Sequence, residues 1–238
     1  KVSPQHEAIL IEEARAVWDL RHYSLPAMRT LSRLDDGSVA LVMSYVPGPT
    51  LMQIVEKYGK MDPEHVAWIT QRILNALLYL HHHGVVHGDL KPQNIIIQPE
   101  SHQVVLVDFG LAMVKPDGRI GAKGYTNYFA PPEQMQGKTI VPEWDFYSLG
   151  KTMVYALGGD LGHVQRNEVP QQTPQPLCDF FLRLLPRDVL ARPRWEQEDL
   201  CKTIEDVRGQ SFGRKYSSMK PLPWTENDDK KRTSQKGK

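Results

Sequence analysis

The spacing of apolar and polar positions changes several times along the 238-residue chain, and each change marks an element. Across residues 7–21, Ile9, Ile11, Ala14, Val17, Trp18 and Leu20 recur at helical intervals among charged positions, which predicts an amphipathic helix. His22 to Pro26 breaks that pattern. Residues 28–34 and 39–45 read as two strands joined by the turn sequence Asp35-Asp36-Gly37. Val46-Pro47-Gly48-Pro49 cannot continue a strand and reads as a linker. Thr50 is placed to cap a short helix to Tyr58, and Asp62-Pro63 opens a longer one to His82. Two short buried-type strands follow, at 95–97 and 104–107, around a turn at 98–103. Residues 111–124 carry no apolar period and read as a loop. Residues 145–157 are apolar nearly throughout, which predicts a buried central helix. A polar connection at 158–176 shows little helical character, and helices are expected at 177–185 and 195–207. From Gly209 the chain turns polar and Lys-rich, the signature of a disordered tail.

Composition narrows the class without naming it. The length supports one large domain or two small lobes, and 40% hydrophobic with 24% charged residues is ordinary for a globular protein. A net charge of +1 gives no bulk argument for nucleic acid, so no nucleic-acid partner is expected. Cys178 and Cys201 form no CxxC pair and are too few for a disulfide framework or zinc cage. No apolar run reaches the roughly 18 residues that a membrane span needs, so no span is expected in this chain.

Chemistry concentrates in two blocks. His87-Gly88-Asp89-Leu90-Lys91-Pro92-Gln93-Asn94 is followed, fourteen residues after Asn94, by Asp108-Phe109-Gly110. The blocks supply a candidate base, a cation and two hard-oxygen metal ligands. Phosphoryl transfer needs such parts: metal on the phosphates, an acceptor hydroxyl held in line, and neutralisation of developing charge. Further along stand Ala130-Pro131-Pro132-Glu133, then Asp145-Phe146-Tyr147-Ser148-Leu149-Gly150, then Ala191-Arg192-Pro193-Arg194.

Together these blocks resemble the eukaryotic-type (Hanks-type) serine/threonine protein kinases. The resemblance covers about residues 7–207. It implies an α+β, protein-kinase-like two-lobe fold with a truncated small β-rich N-lobe and a mainly helical C-lobe. Residues 1–46 would form a partial N-lobe (first helix and two strands), 47–208 the C-lobe, and 209–238 a basic tail. Asp89 would orient the acceptor hydroxyl and take its proton, while Lys91 neutralises charge on the transferring group. Asn94 and Asp108 would hold Mg2+. Lys91, two residues after Asp89, resembles the serine/threonine branch. Glu13, with Glu12 as a neighbouring alternative, would hold a phosphate-binding lysine. The segment 41–48 resembles the strand and hinge that meet adenine: Met43 would be the gatekeeper, backbone groups of Ser44 and Val46 would hydrogen-bond the base, and Ile96 would pack beneath it. Glu133 and Arg192 resemble a buried structural pair, and Thr126 the threonine that contacts the aspartate. The implied partners are ATP, Mg2+ and a protein substrate bearing a Ser or Thr hydroxyl, in the cytoplasm, with membrane tethering outside this stretch left open.

The sequence also departs from that family pattern. Gly88 stands where many such kinases have an arginine, and residues 111–124 contain no Ser, Thr or Tyr. Activity independent of phosphorylation in that segment is therefore expected. Tyr125 replaces a usual glycine, and the connection 158–176 is short for a substrate-docking helix. No Gly-rich phosphate loop precedes the match; Lys1 reads either as the end of the missing third strand or as a lysine with no strand role. Two competing readings stay open: a pseudokinase or C-lobe interaction module without catalysis, and a small-molecule kinase on a related fold.

Overall fold

A computed structural model of the chain describes residues 7, 8, 11, 14, 15, 17–98, 101–114, 116 and 123–214. Glu12, Glu13, Lys1 and the stretch 215–238 lie outside them, as does much of the segment 115–122.

Residues 7, 8, 11, 14, 15 and 17 are helical, and Ala14, Val17 and Leu20 are buried. Trp18, placed on the apolar face by its spacing, is instead 37% exposed. β1 (Met28–Arg33) and β2 (Val39–Met43) pair antiparallel through the expected turn, where Asp36 Oδ1 accepts from Ser38 N at 2.9 Å. β2 ends at Met43, before Tyr45, although Ser44 N still donates across to Ala27 O at 2.8 Å.

The helical part is built on α1 (Leu51–Tyr58), α2 (Pro63–His82) and α4 (Glu143–Gly158), with the short α3 (Pro132–Met135) preceding α4. Thr50 and Gln53 form a reciprocal capping box on α1. Asp62 caps α2 by accepting from Glu64 N at 2.8 Å, with Pro63 in the first turn where its missing N–H costs nothing. Val66, Ile69, Ile73, Leu77 and Leu80 form the buried stripe of α2, each 0% exposed. Burial at that level stabilises by about 1.5–3 kcal/mol per side chain. α4 starts earlier than the apolar run suggested, at Glu143, and is buried from there to Leu157. It packs against α2, α5 (Leu161–Arg166) and α6 (Gln175–Leu184).

Three further elements differ from the sequence reading. The connection 158–176 contains α5, with Asp160 as N-cap and Asn167 in the left-handed conformation at its end. The expected 111–124 loop contains β6 (Met113–Val114), which pairs with β3 (Val85–Val86) over a small cluster of Val86, Met113, Ile140 and Trp144. The last helix, α7 (Leu200–Phe212), starts after Asp199 and runs through Gly209, so the tail boundary drawn at 209 falls inside a helix. Arg214, just beyond it, makes a bidentate pair with the buried Glu64 of α2, both contacts at 2.6 Å.

Among the described residues, no helix is long and apolar enough to cross a membrane. Cys178 and Cys201 are free thiols.

Candidate functional site

β3 delivers the chain into the 87–94 loop, and α4 holds it there. Asp145, 0% exposed in the first turn of α4, accepts from His87 N and Gly88 N, each at 2.9 Å. His81, near the end of α2, reaches the same carboxylate at 2.8 Å through Nε2. The indole of Trp195 donates to His81 Nδ1 at 2.8 Å. An indole nitrogen can only donate, so His81 Nδ1 must accept and Nε2 must carry the proton given to Asp145. Burial pushes the Asp145 carboxyl upward, but this ring of donors outweighs it and holds the group below the usual carboxylate range. His87 is fully buried, and that burial lowers its pKa. Its ring is read as neutral: Nδ1 accepts from Asp89 N at 3.2 Å, and Nε2 donates to Val107 O at 3.3 Å.

Gly88 has φ +72, and a Cβ there would meet Leu111 O at 3.0 Å. The turn that presents Asp89 therefore favours glycine on two counts, conformation and space. The arginine expected from the family at this position would have to overcome both.

Asp89 is 8% exposed and both carboxylate oxygens are engaged. Thr126 Oγ1 donates to Oδ1 at 2.6 Å, and Lys91 Nζ donates to Oδ2 at 2.6 Å. Lys91 Nζ also donates to Thr126 Oγ1 at 3.0 Å. Asn94 Nδ2 donates to Asp89 O at 2.9 Å and to Oδ2 at 3.3 Å. The structure thus brings together Asp89, Lys91, Asn94 and Thr126, the residues that the resemblance singled out. Tyr125 is 51% exposed and does not displace its neighbour Thr126.

Asp108 follows β5 (Gln103–Leu106) and is exposed, with φ +66, a conformation tolerated by aspartate but uncommon for non-glycine residues. Its Oδ1 accepts from Gly110 N at 3.2 Å. Phe109 behind it is 1% exposed and packs edge-on against His87, ring centroids 4.9 Å apart. A hard divalent cation fits the donor types here: the exposed Asp108 carboxylate and the Asn94 amide oxygen, left over once Nδ2 is committed to Asp89. Among the described residues no cluster of three or more His, Cys, Asp or Glu forms a metal cage.

On the other side, the linker 46–49 runs along β4 (Ile95–Gln98). Ile97 N donates to Pro49 O at 3.0 Å, and Thr50 forms a bridge with Ile96. Gly48 has φ +125, and a Cβ on it would lie 2.2 Å from Ile97 O, so this crossing requires glycine. Ile95 and Ile97 point into the core while Ile96 is half-buried on the opposite face. Ser44 N donates to Ala27 O. Met43 is 36% exposed. Glu13 lies outside the described residues.

The Glu133–Arg192 pair is buried, with Arg192 NH1 and NH2 on the two carboxylate oxygens at 2.5 and 3.0 Å. Arg192 also donates to Glu143 O and Pro186 O, so the guanidinium ties α3 and α4 to the turn before α7. The sequence reading missed Gln134, whose amide bridges Gly88 O and Gly124 O, as well as His81 and Trp195. Nothing local marks these residues.

Comparison with known proteins agrees with the geometry. The protein kinase domain family matches residues 1–197. Serine/threonine-protein kinase F of Synechocystis is 34% identical over 160 residues, covering 61% of this chain and 32% of that protein. Serine/threonine-protein kinase pkn3 of Myxococcus xanthus is 31% identical over 157 residues, covering 62% of this chain and 29% of that protein. A Clostridium perfringens protein named "Probable serine/threonine-protein kinase" is 30% identical over 219 residues, 82% of this chain and 32% of its own length. The chain thus spans about a third of the length of these curated relatives.

Proposed function

Because the chain belongs to the protein kinase domain family, we propose that it transfers the γ-phosphoryl group of ATP to Ser or Thr hydroxyls of a protein substrate. The observation that carries this reading is the set of bonds on Asp89: one carboxylate oxygen on Thr126, the other on Lys91, with Asn94 fixing the loop beneath.

In this reading Asp89 accepts the proton of the substrate hydroxyl as its oxygen bonds to phosphorus. Lys91 sits within reach of Asp89 and neutralises charge as the bond to the leaving ADP oxygen breaks. Asn94 and Asp108 would hold Mg2+, which would supply screening of the phosphate charges. The half-buried Ile96 packs under the adenine, the Ser44 carbonyl and Val46 backbone bond its edge, and Met43 closes the back of the cleft. The domain acts in the cytoplasm, where ATP and a reducing environment suit its two free thiols.

The test is transfer of labelled γ-phosphate from Mg-ATP to a generic Ser/Thr protein substrate, by this chain and by Asp89→Asn. Loss of general-base and positioning function predicts a fall of about 10²–10⁴-fold. Equal transfer by both chains would remove Asp89 from the mechanism. Absence of transfer from both would favour the binding-module reading.

A further inference from the structure

Gln134 lies where two parts of the site meet. It is 3% exposed, and its Nε2 donates to Gly88 O and to Gly124 O, both at 2.8 Å. Both partners are carbonyls, so the orientation of the amide is determined: exchanged, its oxygen would face two acceptors. Gln134 Oε1 has no hydrogen-bond partner among the described residues. An apolar side chain would lose nothing on that side, so the Nε2 bonds account for an amide here.

The two carbonyls belong to segments that meet again through side chains. Gly88 precedes Asp89, and Gly124 lies two residues before Thr126, whose hydroxyl donates to Asp89 Oδ1. The result is a closed ring: Gly88 to Asp89, across to Thr126, back along the chain to Gly124, and through the Gln134 amide to Gly88. Gly88 and Gly124 have no side chains with which to join each other, and residues 111–124 contain no hydroxyl side chain. Gln134 is itself fixed, because the adjacent Glu133 is gripped by the buried Arg192.

We propose that Gln134 is a positioning residue, a clamp that fastens the 123–126 segment to the 87–94 loop and thereby seats Thr126 and Lys91 on Asp89. It does this with two neutral hydrogen bonds and without a charged modification of the 111–124 segment. The proposal rests on the reading of Asp89 as the catalytic group, so its test includes readouts that do not need catalysis.

Gln134→Met keeps the volume and removes both donors. Trypsin cleavage after Lys123, followed by mass spectrometry, is expected to accelerate on the order of tenfold, as loss of two neutral hydrogen bonds implies. Cleavage within α2 and α6 should stay at the parent rate. In phosphoryl transfer, kcat should fall on the order of tenfold with KM for ATP unchanged, because the clamp lies on the acceptor side. Unchanged cleavage at Lys123 in a folded variant overturns the clamp, whether or not the parent transfers phosphate. Faster cleavage combined with no transfer by the parent supports the clamp and overturns the kinase reading instead. If Gln134→Met does not fold, NMR on the unaltered chain decides: two slowly exchanging Gln134 Nε2 protons with cross-peaks to Gly88 and Gly124 are expected, and a freely exchanging amide overturns the proposal.

Discussion

Asp145→Asn is the sharpest test of how the 87–94 loop is held. The change is isosteric, and the side chain is fully buried with three N–H donors on it: His87 N, Gly88 N and His81 Nε2. An amide has one acceptor oxygen, so it cannot serve all three. The cheaper orientation points its oxygen at His87 N and His81, leaving Gly88 N buried and unpaired at about 1–3 kcal/mol. The two retained bonds change from charge-assisted to neutral, a loss of about 1 kcal/mol each. The total is about 3–5 kcal/mol, or about 10 °C in Tm for a domain of this size. His81 cannot relieve the strain by moving its proton to Nδ1, because the Trp195 indole already donates there.

That block makes the argument refutable in a double-mutant cycle. Trp195→Phe keeps a ring against Phe146, whose centroid lies 5.1 Å away, but removes the N–H. With the indole proton gone, His81 is free to change tautomer and accept from the introduced amide. Asp145→Asn combined with Trp195→Phe should then cost about 1 kcal/mol less than the sum of the single changes. Urea denaturation followed by far-UV circular dichroism measures all four corners. Additivity within about 0.3 kcal/mol, or a cost below about 1 kcal/mol for Asp145→Asn alone, would refute the hydrogen-bond assignment.

Two other perturbations follow from buried charge. Glu133→Gln leaves the Arg192 guanidinium, with its side chain 0% exposed, beside a neutral partner, and should destabilise by about 3–5 kcal/mol in the urea midpoint; Glu133→Gln with Arg192→Met should cost less than Glu133→Gln alone. Lys151 in α4 is 5% exposed, donates to Val164 O and Asn167 Oδ1, and burial pushes its pKa down to about 8. Its unfolded value is about 10.4, so between the two the unfolded chain binds the extra proton and stability rises with pH. Thermal unfolding should show that rise between about pH 8 and pH 10 in the parent and a smaller one in Lys151→Met; equal pH slopes in both would remove Lys151 as its source.

What was legible in the sequence was what local chemistry encodes. Asp62-Pro63 set the start of α2 because a cap and a first-turn proline act within one turn. Asp89, Lys91 and Asn94 were legible because they lie within six residues of one another, and the Glu133–Arg192 pair because both belong to recognisable blocks. The misses have the opposite character. β3 and β6 are two residues each, too short to show a period, and exist because they pair across the chain. α5 hides in polar sequence, although Asp160 was available as an N-cap signal. The last helix was expected to start at Trp195, yet that side chain faces His81 and Phe146, and the helix waits for the Asp199 cap. His81 and Trp195 stand 114 residues apart, a distance at which no spacing rule operates.

The same division separates the acceptor and adenine sides of the proposed site. On the acceptor side, Asp89, Lys91 and Asn94 ride on backbone tied to α4 by Asp145 and to α3 by Gln134, and both ties end on buried N–H or carbonyl groups. Freeing such groups costs about 1–3 kcal/mol each, so the loop has few alternative positions at low energy. On the adenine side, Met43 ends a two-stranded sheet in which Val42 and Leu31 are also exposed, and Tyr45 beyond it is 87% exposed. A two-stranded hairpin has little stability of its own and adjusts at small cost. In-line transfer tolerates displacements of only about half an ångström. In the proposed reading, the polar ties therefore sit on the side where transfer geometry would be set, and the exposed hairpin on the side where the nucleotide would enter.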